Sequence, residues 1–246
     1  MLKNAIKATL RSVGYEFRRY HPPELGPLEI FFKSWRALRP PPSFIIDVGA
    51  NHGAWTRAFL RWFPQSECLM IEPQESLKAF SSDLLAKPNV RWKTAGVSDR
   101  AGELLLNIPE HDHSASFVPG KAGPAAPGHK QLLVPVVSLD GVVAGEARMP
   151  DWVKIDAEGF DLKALQGAST LLGKTEVIFV ECAVCCPTFE NTWQSVFRFM
   201  EDHGYRLVEI TDLNRSPRHG ILWLMEAVFV SKNSSVWSAP RQSDYA

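Results

Sequence analysis

The run Phe44-Ile45-Ile46-Asp47-Val48-Gly49-Ala50-Asn51-His52-Gly53 constrains the fold more than any other part of this chain. Its apolar opening reads as a buried strand, and two glycines four positions apart break it into a turn. A helical stripe follows, with Trp55, Ala58, Phe59 and Trp62 on one face and Pro64 as its stop. The next apolar run, Cys68-Leu-Met-Ile71, closes on an acid, Glu72, 25 positions after Asp47. Strand, glycine turn, helix, strand, acid is the layout of a nucleoside-binding crevice in a parallel α/β sheet.

The alternation continues. A helix carrying Leu77, Phe80 and Leu84 is expected before Pro88, then a strand from Val90. Glu103–Ile108 and Gln131–Val137 read as two extra strands around a long insert. Trp152–Asp156 and Glu176–Glu181 are further main strands, each followed by a helix that a glycine ends (Gly173, Gly204). Two helix-less strands, from Tyr205 and from Glu226, complete the pattern. The expected fold is α/β: a seven-stranded, mostly parallel sheet with helices on both faces and one antiparallel strand.

Three segments are expected. Residues 1–42 form a helical extension bounded by Pro40-Pro41-Pro42, residues 43–231 the main domain, and residues 232–246, polar and Ser-rich, a disordered tail. Leu2, Ile6, Leu10, Val13 and Phe17 make the first helix amphipathic, with Lys3, Lys7 and Arg11 on its other face. It suits docking on the domain or on a partner subunit in a homo-oligomer; the other reading is peripheral contact with an acidic membrane surface. Residues 109–130 have no period, as expected of a lid or an acceptor-binding loop.

Composition narrows the function. Lys plus Arg and Asp plus Glu both number 27, so the basic footprint of a nucleic-acid enzyme is missing and no nucleic-acid partner is expected. No apolar run reaches the ~18 residues of a membrane span. Cys182, Cys185 and Cys186 are too crowded for a disulfide framework and lack a second pair for zinc, which points to a soluble, cytoplasmic protein.

The glycine spacing selects the ligand. A dinucleotide fingerprint from Gly49 needs glycines where Asn51 and Ala54 stand, and no Gly-Lys-Ser/Thr phosphate loop occurs in the chain. The turn suits a nucleoside with a smaller polar group, and S-adenosylmethionine leads the candidates. Asp47 would orient the turn and accept hydrogen bonds from the ligand's amino-acid part. Gly49, Ala50, Asn51 and Gly53 would allow close backbone approach, and Glu72 would take both ribose hydroxyls. The helix after Gly53 offers free N–H donors to a carboxylate.

Five motifs carry a family resemblance: Asp47-Val-Gly-Ala-Asn-His-Gly, Glu72-Pro, Val97-Ser-Asp99, Val137-Ser-Leu-Asp140 and Val153-Lys-Ile-Asp-Ala-Glu-Gly-Phe-Asp161. With Leu165-Gln-Gly-Ala168 they resemble the FkbM-type methyltransferases over roughly residues 43–231. The resemblance implies a class I methyltransferase fold, S-adenosylmethionine as donor and O-methylation of a hydroxyl on a sugar, glycan, glycolipid or secondary metabolite. It also implies that Ser98 and Asp99 lie close to the adenine. Two positions depart from the family pattern: Ala157 stands where Val is frequent, and Asp161 where Glu is common.

A hydroxyl is a poor nucleophile until its proton leaves, so a base or a metal is expected. Asp156, ending the fourth main strand, is the first choice for base or acceptor ligand. Glu158 is either a second such group or a helix cap. Glu181, ending the fifth strand, would form a cluster with Asp156. That pair would either hold Mg²⁺ or another divalent cation, or raise a carboxylate pKa to suit a base. His113, in the insert, is the remaining acid–base candidate. Methylation of a small amine and a non-catalytic nucleoside-binding module are the rival readings.

Overall fold

The computed structural model describes residues 25–109, 115–118, 130–185 and 190–238. The amphipathic segment before residue 25, His113, Cys186 and residues 239–246 lie outside the described residues.

Strand β1 (Phe44–Val48) is buried at every position, as a central parallel strand should be. It pairs in parallel with β2 (Glu67–Glu72) on one side and β7 (Trp152–Ile155) on the other. Strand β3 (Val90–Thr94) extends the sheet beyond β2, and β8 (Val177–Ala183) beyond β7. Strand β10 (Leu222–Ser231) then runs antiparallel between β8 and β9 (Tyr205–Arg215). The order β3-β2-β1-β7-β8-β10-β9 reverses direction of growth beside β1, which is where such sheets bind ligands. Strands β4 (Gly96–Val97), β5 (Gly102–Ile108) and β6 (Lys130–Val137) form a second, three-stranded sheet, β4-β6-β5.

Period-two alternation splits the core into two layers. Phe44, Ile46 and Val48 face one layer with α4 (Leu139–Val143), α5 (Asp161–Gln166) and α6 (Trp193–Asp202). Ile45, Trp152, Phe179 and Val228 face the other, against α1 (Pro27–Leu38) and α2 (Ala54–Trp62). Trp152 is the hub of this second layer, within 5.3–6.0 Å of the rings of Phe31, Phe32, Trp35, Phe59, Phe63 and Phe179.

Three expectations change. The proline run does not bound the domain: Phe31, Phe32 and Trp35 of α1 are buried in the sheet's own core, because the aromatic face of β7 and β8 needs cover. Residues 232–238 are not a disordered tail. Trp237 Nε1 donates to Ser231 O at 2.7 Å and Ser234 Oγ to Glu176 at 2.6 Å, so polar capping tacks this segment to the sheet edge. The helix expected over Leu77–Leu84 is a 3₁₀ segment (Glu75–Ser81) with one α-turn, α3 (Ser82–Leu85), and Phe80 is exposed against His52 at 4.4 Å.

Candidate active site

Alternation also places charge. Two positions beyond Ile45, Trp152 and Phe179, and two before Val228 on the antiparallel strand, stand Asp47, Lys154, Glu181 and Glu226. The apolar face therefore ends, at the carboxyl ends of the parallel strands, in a row of three acids and one lysine across four neighbouring strands. Asp47 sits opposite Lys154 in register, and Glu181 opposite Glu226.

Lys154 is 5% exposed. Its Nζ donates to Asp156 Oδ2 at 3.1 Å and lies 3.7 Å from Asp47 Oδ1. Burial works against its charge, but the carboxylates of Asp156, Asp47 and Glu226 outweigh burial and hold the ammonium more firmly protonated than an ordinary lysine. Asp47 is fully buried and takes a hydrogen bond of 2.5 Å from Thr56 Oγ1. Burial pushes its carboxyl up, with Lys154 and Thr56 opposing.

A cavity of about 580 Å³ opens above this row. Its walls are the turn Gly49–His52, Glu72, Ala95–Val97, the Leu106 and Phe117 side of the small sheet, Asp156–Glu158, and Thr211, Asp212 and Glu226. The turn is shaped by necessity: Gly49 has φ +71°, and a Cβ there would lie 1.7 Å from the carbonyl oxygen of Asp156. Glu72 accepts the amides of Asn51 and Gln74, one on each oxygen, both at 3.0 Å. Burial raises its pKa against the pull of those two amides. Helix α2 has no side-chain cap, and Ala54 and Trp55 of its first turn line the cavity, so its N-terminal N–H groups face an incoming anion.

Several expected residues stand elsewhere. Asp47 is not in the cavity wall: it is fully buried against Lys154, which does line the cavity, and Thr56. Gly53 (φ +78°) serves packing: a Cβ would lie 2.7 Å from Leu84 and 2.8 Å from Ser81. Ala95–Val97 form the wall where Ser98 and Asp99 were expected. Ser98 and Asp99 turn away to pack on Gly167, whose Cβ would lie 2.4 Å from Ser98 O, and Asp99 is exposed. Glu181 is half-buried outside the cavity lining, and Glu226 takes that position.

Among the described residues no three His, Cys, Asp or Glu side chains converge as a metal site requires. The positive charge beside Asp156 is the Lys154 ammonium, 3.1 Å from Asp156 Oδ2. Asp161 lies off the cavity as well: it is fully buried and accepts Ala157 N, Gly159 N and Asn191 Nδ2. It fastens the loop that carries Asp156 and Glu158; burial, with the charge of Asp156, pushes it up to about 7. Glu158 sits at φ +50°, and its carbonyl accepts Ser116 Oγ at 2.6 Å, which ties the insert to the cavity rim.

Residues 47–207 match the Methyltransferase FkbM domain family, which is more than half of the chain. This chain belongs to the FkbM methyltransferase family. It is 24% identical over 157 residues to the 2-O-methyltransferase NoeI of Sinorhizobium fredii, covering 58% of this chain and 65% of that protein. It is 29% identical over 116 residues to a trans-aconitate 2-methyltransferase of an Acidovorax species, covering 47% of this chain and 42% of the relative. The chain thus spans less than two thirds of the length of either relative. A candidate rRNA methylase from Clostridium thermocellum superposes with a TM-score of 0.50 over 87% of this chain and 99% of its own, at 8% identity, and shows the shared class I methyltransferase fold.

The FkbM site fits S-adenosylmethionine on its own geometry. The glycine turn, the uncapped start of α2 and Glu72 would hold the amino-acid and ribose parts, and Ala95–Val97 with Phe117 supply an apolar slot for the base. Four wall or sub-wall groups carry no role in the sequence reading: Lys154, Thr211, Asp212 and Glu226. For Lys154 and Glu226 the signal is a charged residue inside a strand that is otherwise apolar, as in Trp152-Val-Lys-Ile and Leu-Met-Glu-Ala-Val. Without knowing which strands are neighbours, that signal has no partner to point at. Among the described residues no helix is long and apolar enough to cross a membrane.

Proposed function

We propose that this protein is an S-adenosylmethionine-dependent O-methyltransferase whose acceptor is a hydroxyl of a sugar, glycan, glycolipid or related metabolite, acting in the cytoplasm. The observation that carries the reading is the Gly49–Glu72 crevice opening into the same cavity as Asp156 and Glu226. When bound, S-adenosylmethionine supplies a methyl group already activated on a sulfonium sulfur. The chain's own residues then have two tasks. The rigid turn and the cavity walls hold the acceptor oxygen in line, which in favourable cases is worth ~7–11 kcal/mol. A carboxylate removes the hydroxyl proton, worth about 100- to 10,000-fold in rate.

The charge of the wall bears on the acceptor. Glu72, Asp156, Glu158, Asp212 and Glu226 face the cavity against Lys154 and His52. A polyanion such as a tricarboxylate would meet like charge there, whereas a polyol finds hydrogen-bond acceptors. A small amine is the second reading that this wall favours. The unpaired thiols Cys68, Cys182 and Cys185 agree with a reducing compartment.

Calorimetry with S-adenosylmethionine and S-adenosylhomocysteine tests the donor, and both are expected to bind. Absence of binding by either removes the assignment. Methyl-labelled donor with panels of glycans, glycolipids, polyketides and amines then separates hydroxyl from amine acceptors by the mass and stability of the product.

A further inference from the structure

Glu226 is a cavity-wall carboxylate that the sequence motifs leave without a role. It stands on the antiparallel strand β10, between Glu181 of β8 and Asp212 of β9 in register. Among the described residues it takes one hydrogen bond, from Thr211 Oγ1 to Oε1 at 2.5 Å, which leaves Oε2 without one. Two other wall acids already hold protein donors. Both oxygens of Glu72 hold backbone amides, and Asp156 Oδ2 is bonded to Lys154. Lys154 acts on Glu226 through charge, but its ammonium contacts Asp156 and Asp47.

We propose that Glu226 is the proton acceptor for the substrate hydroxyl, and that the arrival of the cationic donor in the shared cavity converts it to its charged form. This rests on the donor assignment above. Without ligand, burial first, then the charges of Asp156 and Asp212, push Glu226 up to about 7 against Lys154 and Thr211. A positive charge added to that cavity favours the carboxylate over the acid. The carboxyl proton then leaves for solvent. On turnover the carboxylate takes the hydroxyl proton, the O–H electron pair forms the new bond to the methyl carbon, and the methyl–sulfur bond breaks with its electron pair left on sulfur, which cancels the sulfonium charge. Glu226 is left neutral beside a neutral thioether. The base is thus armed only when the donor is in place.

Proton-linked calorimetry reads this without an acceptor. Titrations of S-adenosylmethionine near pH 7 in buffers of different ionisation enthalpy should show net proton release on donor binding, as expected for a carboxyl raised toward neutral pH. S-adenosylhomocysteine, with a neutral sulfur, should release close to none. Glu226→Gln should still bind the donor, more weakly than wild type, and abolish the release. Thr211→Val removes the bond that lowers the Glu226 pKa and should move the pH of maximal release upward. A wild-type protein that binds donor with no release, or a Glu226→Gln variant that releases as much as wild type, overturns the inference and leaves the donor assignment standing. Failure of the wild-type protein to bind either nucleoside overturns both.

Discussion

Lys154 and Asp47 face each other across β7 and β1 at 3.7 Å, both almost wholly out of solvent. The lysine of this pair lines the cavity that the glycine turn borders, so one buried cation sets the electrostatics of the site. It also makes the sheet dependent on that cation, since Asp47 without it would be a buried carboxylate with only Thr56 as partner.

Lys154→Met should therefore cost about 3–5 kcal/mol of stability, the range for leaving one member of a buried ion pair uncompensated. Urea unfolding at pH 7 measures it. The double variant Asp47→Asn/Lys154→Met should recover a large part of the loss; no recovery would show that Lys154 acts through packing alone.

Glu226 carries a pH signature in folding as well as in binding. Its pKa is raised to about 7 in the folded protein, above the ordinary glutamate value near 4 in the unfolded chain. The folded state holds the proton more tightly, so stability from this group is full at about pH 4 and declines as pH rises toward 7, with a limiting slope of ~1.4 kcal/mol per pH unit. Glu226→Gln should flatten that part of the stability–pH curve. An unchanged slope would mean that another group carries it.

At Gly49 a methyl group has no room, being 1.7 Å from the carbonyl oxygen of Asp156 just after β7, and φ +71° adds strain on the order of 1–3 kcal/mol. Gly49→Ala is expected to lower the unfolding midpoint and to reduce S-adenosylmethionine affinity at least tenfold. Wild-type affinity in the calorimeter would show that the turn does not shape the donor site.

Phe32 has no exposed surface and packs on Trp55, Phe59, Phe63 and Trp152. Phe32→Ala should cost about 3–5 kcal/mol as a large-to-small core change. Differential scanning calorimetry would see it as a drop in midpoint; a surface-like loss below about 0.5 kcal/mol would show α1 to be a detachable extension.

Much of this molecule is legible in its one-dimensional pattern. Apolar runs of strand length, bounded by helical stripes and glycine or proline stops, mark the strands of the seven-stranded sheet, most plainly β1, β2, β7 and β8, because burial on both faces leaves a parallel strand few other compositions. The turn at Gly49 and the acid at Glu72 are legible for the same local reason: one needs φ > 0 and the other ends a strand. Helix α1 belongs to the domain because its aromatic face packs both on nearby α2 and on Trp152 and Phe179, more than 100 residues later in the chain. The packing of Ser98 and Asp99 on Gly167 after β4 is a contact that no spacing encodes.

The amino-acid order alone thus determined the strands, their caps and the nucleoside turn, each a property of residues close together in the chain. Only the tertiary structure decided the charge arrangement: β1 and β7, and β8 and β10, are not consecutive strands in the chain but are adjacent in space. Which acid meets Lys154, and which one reaches the cavity, depends on register between strands, and register is set by packing of the whole sheet.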